Sequence, residues 1–554
     1  MFEYVIRGGT IVDGSGRPRF RGDLAIDRGR VVAVGEVDGE GRVEMDATDR
    51  VVAPGFIDIH THYDAQMFWD ATLSPSSWHG VTTVVSGNCG FGLAPVRAEH
   101  HDAMCEVLAG VEGMDLEALR VGVPWQTYET FSEYLDILDA ADLQLNVGVL
   151  AGHTTIRLFV MGAEAMERAA TEVEVEAMST LLSAMLDQGA MGFSSSREAS
   201  HRALDGRFAP SIVAELSEIV RLCEVFGDRG RGVIELSPGN PNTDIALPNE
   251  TICEIAERSG RPVTWAALLT GKYPDALRAE ILAQNDACDG TVFPQIGCRP
   301  VMFQVTLADP YAFNNIPAFE QVVRTPPAGR TAIYADPAWR EVAAREVERI
   351  RGADFWERMV VQESTAHRDL VDGPSIAALA TQRQQDPFDL MVEVGLADDL
   401  LTRFGVILAN NDEAGMGAML LDERCMLGIS DAGAHGNQLC DASYPTDLLG
   451  HWVRELGVLT LEQAIWRLSG QPAEIFGIAD RGLLEPGRHA DIVVFDPATI
   501  SHGPLERVSD LPGGADRLVV HSIGIDAIWV NGVQTRRGGV MEDRFPGRLL
   551  RAGG

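Results

Sequence analysis

Residues 54–64 read PGFIDIHTHYD, and everything else in the chain is best understood from this stretch outward. Val51 and Val52 lead into it, and β-branched residues favour extended backbone. In an extended chain residues i and i+2 share a face, so His60 and His62 point the same way and can grip one divalent ion together. Neutral imidazole is a common metal ligand, and Asp58, two residues before His60, is placed to orient a ring. Alone, a His-x-His pair reads as easily as two polar residues in a turn. Cys89 in SGNCGFG and Asp431 in GISDAGAH raise the metal reading, each standing just past an apolar run that reads as a strand.

These pieces, with NVGVLAGHTTIR (146–157), GAMGFSSS (189–196) and RGLLEPGRHADIVVFDP (481–497), resemble the amidohydrolase superfamily, and most closely its N-acyl-D-amino-acid deacylase (D-aminoacylase) family. They lie in the family's order from one end of the chain to the other, while residues 197–424 resemble it only loosely. The resemblance implies an α/β protein: a metal-dependent (β/α)8 TIM barrel over 54–481, with its chemistry at the carboxyl ends of the strands. Residues 1–53 and 482–554 alternate apolar and polar positions between glycine-rich turns, a pattern of short antiparallel strands. Two matching ends suggest one small composite β-sandwich. Between them, helical patterns at 171–189, 210–227 and 274–284 alternate with apolar runs, as a helix-covered parallel sheet requires. The stretch 270–425 exceeds one strand–helix unit and is expected to include an insertion or lid.

The chain has 554 residues, 45% of them hydrophobic, enough for one large domain and a smaller one. Its net charge of −36 would repel a phosphate backbone, so nucleic acid is not an expected partner. No apolar run approaches membrane-spanning length, and the start, MFEYVIRGG, lacks a basic end followed by an apolar stretch. A cytoplasmic protein without membrane contact is expected; a homo-oligomer stays open. The eight cysteines include no Cys-x-x-Cys pair, which argues against a disulfide framework and for reduced core residues.

The resemblance makes His60, His62 and Asp431 metal ligands, Asp431 also the general base, and Cys89 a ligand. Asp431 reads otherwise as a helix cap and Cys89 as a small buried hydrophobe. The sequence departs from the family at two points. Where the family places histidines after the fifth and sixth strands, this chain reads RGVIELSPG (231–239) and RPVTWAALL (261–269), with Glu235 the one metal-capable side chain and Trp265 near the second position. Lys272 is the only lysine and lies in no plausible bridging strand, so a carboxylated-lysine bridge between two ions is not available. One tightly held divalent ion, most simply zinc, is expected, with Glu235 either a further ligand or a supporting carboxylate. His153, Arg197, His201 and His435 are the candidates for substrate contact.

The chemistry implied is hydrolysis of a C–N amide bond in a small molecule, an N-acyl (D-)amino acid or related amide, with Asp431 passing a proton from water to the leaving nitrogen. A cyclic amide or ester substrate, or a catalytically silent binding relative, remain alternatives, because fold alone does not fix the substrate.

Overall fold

The structure is a computed structural model that describes residues 1–553 except 242, 289 and 290, with backbone alone at 228 and 353. Among the described residues eight parallel strands make the barrel: Phe56–Asp58, Val81–Ser86, Asn146–Gly152, Gly192–Ser196, Val233–Ser237, Val263–Trp265, Val292–Ile296 and Met426–Leu427. Each bonds to the next in chain order. The ring closes just past the eighth strand, where Thr61 bridges Ala432 and the His62 amide donates to the Ala432 carbonyl at 2.7 Å. Strands two to five are buried along their whole length, as a parallel sheet covered on both faces must be.

The helix patterns are only partly continuous. Glu172–Gln188 is a single helix, opened by a capping box of Thr171 and Glu174 and stopped by Gly189 at φ +112°, the residue type that tolerates that conformation. The 210–227 pattern is broken instead: Pro210–Val213 and Leu216–Cys223 are separate helices. The Arg197 guanidinium donates to the carbonyls of Ile212 and Ala214, at 2.6 Å each, and so satisfies backbone acceptors that a continuous helix would have used.

Both chain ends meet in one nine-stranded sheet among the described residues. Its seam is the antiparallel pairing of Val51–Pro54 with Ile492–Phe495, register Val52 to Val494, over a core that includes Ile11, Leu24, Ile26, Ile492 and Trp529. Leu549 and Leu550 leave this unit and pair with Val147 and Gly148 of the third barrel strand. Hairpin Ser501–Val508 and Arg517–Ile523 forms a sheet of its own.

The seventh barrel strand, Val292–Ile296, and the helix Asp275–Asp286 before it lie inside the 270–425 stretch, so the inserted chain begins after Ile296. It builds a three-stranded antiparallel sheet from Val301–Val305, Arg403–Ala409 and Met359–Glu363. This sheet has its own aromatic core, with Phe313, Phe319, Trp339, Phe355 and Phe388. Most of the cysteines are reduced, as expected, with one exception. Cys253, in the helix after the fifth strand, and Cys288, just past the helix after the sixth, form a disulfide with Cα atoms 5.5 Å apart, a proximity that a separation of 35 residues conceals. The other six are free, five of them buried. Among the described residues no helix is long and apolar enough to cross a membrane.

Candidate metal centre and active site

The first barrel strand delivers His60 and His62 to the barrel mouth, both buried. Beside them sits Cys89 in the turn after the second strand. Gly87 at φ +85°, Cys89 at +55° and Gly90 at +80° wind this turn tightly. The Asn88 amide group fastens it to the carbonyls of Thr61 and Val85 at 3.1 and 2.9 Å. At Gly90 a Cβ would lie 3.1 Å from the Ser195 Cα, so a side chain would crowd the neighbouring strand. The His60, His62 and Cys89 ligand atoms all lie within 4.8 Å of one another, and the Cys89 Sγ is 3.4 Å from His60 Nε2.

Asp431 flanks this trio, its Oδ1 3.4 Å from His60 Nε2 and 3.8 Å from His62 Nε2. Its side chain keeps 32% exposure, open to the cavity, where those of His60 and His62 keep 1% and 3%. Asp431 and His435 both stand at φ +47°, a conformation that costs a non-glycine residue on the order of 1 kcal/mol and is held only by surrounding structure. Ser430 supplies part of that hold by donating to the His60 carbonyl at 3.0 Å.

The supporting contacts differ from those read in the sequence. Asp58 accepts the His60 backbone N–H at 3.3 Å and leaves the ring alone. The ring partner is Gln295, at the end of the seventh strand, whose Oε1 accepts from His60 Nδ1 at 2.7 Å. That bond puts the proton on Nδ1 and leaves the Nε2 lone pair facing Cys89 and Asp431. Glu235 accepts the Cys89 backbone N–H at 2.7 Å; its other oxygen lies 3.9 Å from His60 Nδ1 and is buried without a hydrogen-bond partner. It therefore stands outside the ligand trio and braces the cysteine turn. Trp265 is buried against Tyr273, with ring centroids 6.2 Å apart, and brings no donor to the sixth strand.

A cavity of about 170 Å³ opens over these residues, lined also by Glu112, His201, Lys272, Arg299, Tyr311 and His435. His201 is steered into it by Ser196, whose Oγ meets Nδ1 at 2.8 Å. His435 packs on Tyr311 of the insertion, centroids 4.3 Å apart. Lys272 reaches Glu198 at 3.3 Å.

Two expected substrate contacts are placed elsewhere. His153 is fully buried, with Nδ1 on Ser195 at 2.8 Å and Nε2 on Glu218 at 2.9 Å, and Glu218 in turn pairs with buried Arg157. Arg197 spends its guanidinium on backbone carbonyls, Ile245 included. Neither lines the cavity. Neighbouring serines of the fourth strand separate the two histidines: Ser195 holds His153 in the buried layer, while Ser196 holds His201, which lines the cavity.

Burial dominates the electrostatics of the centre. Burial pushes Asp431 up to about 6 and Glu235 up to about 8, and lifts Cys89 well above the usual thiol range, with the Glu235 charge adding to it. Burial lowers His60 to about 4 and holds His62 well below the usual imidazole range, so both are neutral donors at pH 7. Two neutral imidazoles, a thiol and a carboxylate facing one point suit a divalent ion such as zinc, which would relieve the crowding of anions.

Residues 43–536 match the profile described as Amidohydrolase family. D-aminoacylase of Alcaligenes xylosoxydans xylosoxydans is 28% identical over 99% of this chain and 97% of its own length. N-acyl-D-aspartate deacylase from the same organism is 30% identical over 100% of this chain and 95% of its own. Among solved structures, N-acyl-D-glutamate deacylase from Bordetella bronchiseptica, complexed with zinc and a phosphonate inhibitor, superposes with TM-score 0.69 at 28% identity over 99% of both chains. A D-aminoacylase described as having a binuclear metal centre, with one-metal activation and second-metal attenuation, superposes with TM-score 0.68 at 25% identity over all of both chains.

Proposed function

Because the chain belongs to the amidohydrolase family and is a metal-dependent hydrolase of amide-type C–N bonds, we propose that it cleaves an N-acyl amino acid or a closely related small amide at a one-ion centre of His60, His62, Cys89 and Asp431. The observation that carries the reading is the meeting of His60, His62 and Cys89 at one point of the barrel mouth, with Asp431 within 3.8 Å of both imidazoles, while the fifth and sixth strands contribute no further imidazole.

A divalent ion bound there polarises an amide carbonyl and makes water acidic enough to attack near neutral pH. The protein's own part is positional. Asp431, open to the cavity and raised toward neutrality, takes the proton from the attacking water and returns it to the leaving nitrogen. Gln295 keeps the His60 lone pair aimed at the centre, and Glu235 holds Cys89 there. His201, His435 and Lys272, spaced around the cavity, contact the two halves of the substrate. The zinc-complexed deacylase supports zinc as the ion.

The test is elemental analysis of dialysed protein alongside hydrolysis of a panel of N-acyl-D- and N-acyl-L-amino acids and their neutral amides. About one zinc per chain and turnover on at least one open-chain amide are expected. Two tightly held ions, or turnover confined to esters or cyclic amides, would overturn the proposal.

A further inference from the structure

Glu112 is a carboxylate for which the amide-cleaving machinery above has no use. It follows helix His101–Val111 directly, only 4% exposed. Among the described residues no lysine or arginine pairs with it; its one ion-pair neighbour is His62, whose Nδ1 is 3.5 Å from Glu112 Oε2. This is a costly place for an anion. Burial and the charge of Asp431 both oppose ionisation, and the carboxyl end of a helix repels negative charge as well.

The backbone nevertheless fixes Glu112 firmly. Its carbonyl accepts the His435 N–H. The next residue, Gly113, sits at φ +58°, where a Cβ would fall 2.7 Å from His435 Nδ1, so a side chain there would push the turn off the histidine. A buried carboxyl fixed this firmly, without a cation and against the helix dipole, is not explained by stability. What it faces is the back of a metal-binding imidazole.

The other imidazole shows what such a neighbour does. His60 Nδ1 is held at 2.7 Å by Gln295, and an acceptor on Nδ1 fixes both the tautomer and the ring orientation of a metal-binding histidine. Resting on the one-ion reading above, we propose that Glu112 is the positioning residue for His62: its carboxylate accepts a hydrogen bond from the Nδ1–H, which keeps the proton on Nδ1 and turns the Nε2 lone pair toward the ion, and its negative charge is compensated when the ion binds. At 3.5 Å the pair is longer than a formed hydrogen bond, and a small rotation of either side chain closes it.

The experiment is zinc affinity, measured by competition with a chromophoric chelator, for the wild type, Glu112→Ala, Glu112→Gln and His62→Ala, with circular dichroism and thermal melting on each. Glu112→Ala should bind zinc about 10- to 100-fold more weakly while its secondary structure stays the same. Glu112→Gln, which keeps an acceptor but no charge, should fall between it and the wild type. A role in packing alone would lower the melting temperature and leave zinc affinity in place. Glu112→Ala binding within about threefold of the wild type would overturn the proposal, given the size of effect expected. Should that variant fail to fold, Glu112→Leu, of similar size but with no acceptor, binding zinc within about threefold of the wild type would overturn it equally. A wild type without zinc affinity would overturn both this inference and the metal centre, whereas zinc binding lost in His62→Ala but not in Glu112→Ala would overturn this one only.

Discussion

Two arcs of the barrel mouth are built from the same kind of strand end and are put to opposite uses. The arc of the eighth, first and second strands displays donors: His60, His62, Cys89 and Asp431, two of them on backbone at positive φ. The arc of the fifth and sixth strands displays almost none. There Glu235 spends one oxygen on the Cys89 N–H, and Trp265 is packed away. Under the one-ion proposal the difference is a division of labour: backbone at positive φ is spent where the ligand side chains converge, and the opposite arc braces them.

The sharpest way to break this contrast is to empty the donor arc. His60→Ala with His62→Ala should abolish metal binding and turnover together, with the fold retained because the barrel core lies below the mouth. Unchanged zinc content in the double variant would rule out the ligand assignment. Next in size is Asp431→Asn, which keeps shape and removes the base. Turnover should drop by roughly two to four orders of magnitude while KM changes little, the loss expected for a positioned proton transfer. More than about a tenth of wild-type turnover would be too much for a missing base.

The bracing arc is expected to give smaller effects. Glu235→Ala leaves the Cys89 amide without its acceptor, so zinc should bind about tenfold more weakly. If Glu235 were itself a ligand, nearly all affinity would go. Titration gives the mildest test. Both carboxyls are raised, Asp431 to about 6 and Glu235 to about 8, against values near 4 in an unfolded chain. The native metal-free state therefore keeps these two protons to higher pH than the unfolded chain; below about 6.5 the buried neutral imidazoles of His60 and His62 act in the opposite sense, so the loss of stability from the carboxyls shows as pH climbs from about 6.5 to about 8. Melting curves with and without zinc should show that decline only in the metal-free protein. A flat profile would mean that Glu235 does not hold its proton to higher pH as its burial implies.

The donor arc was legible in the sequence because each of its residues stands at the end of an apolar run inside a distinctive motif. Its supports were not. Gln295 follows Val292 and Phe293 in a strand with no motif, and Glu112 ends an ordinary amphipathic helix; only their approach in space gives them a role. His153 and Arg197 were misread for the converse reason. A polar residue beside a motif looks functional until its burial and partners are known, and these two are committed to Glu218 and to backbone carbonyls. The helix over 171–189 could be read from its caps, whereas the break at 214–215 depends on an arginine from the preceding strand's loop.

The seam between Val51–Pro54 and Ile492–Phe495 also bears on how the molecule is made. A ribosome releases the first of these strands nearly a whole chain before its partner, so its outer edge waits unpaired while the barrel and its insertion are synthesised. Such edges invite pairing with other chains, and contacts of this sequence separation form late and slowly. Expression in cells should accordingly depend on chaperone supply and growth temperature more than the stability of the finished fold would suggest.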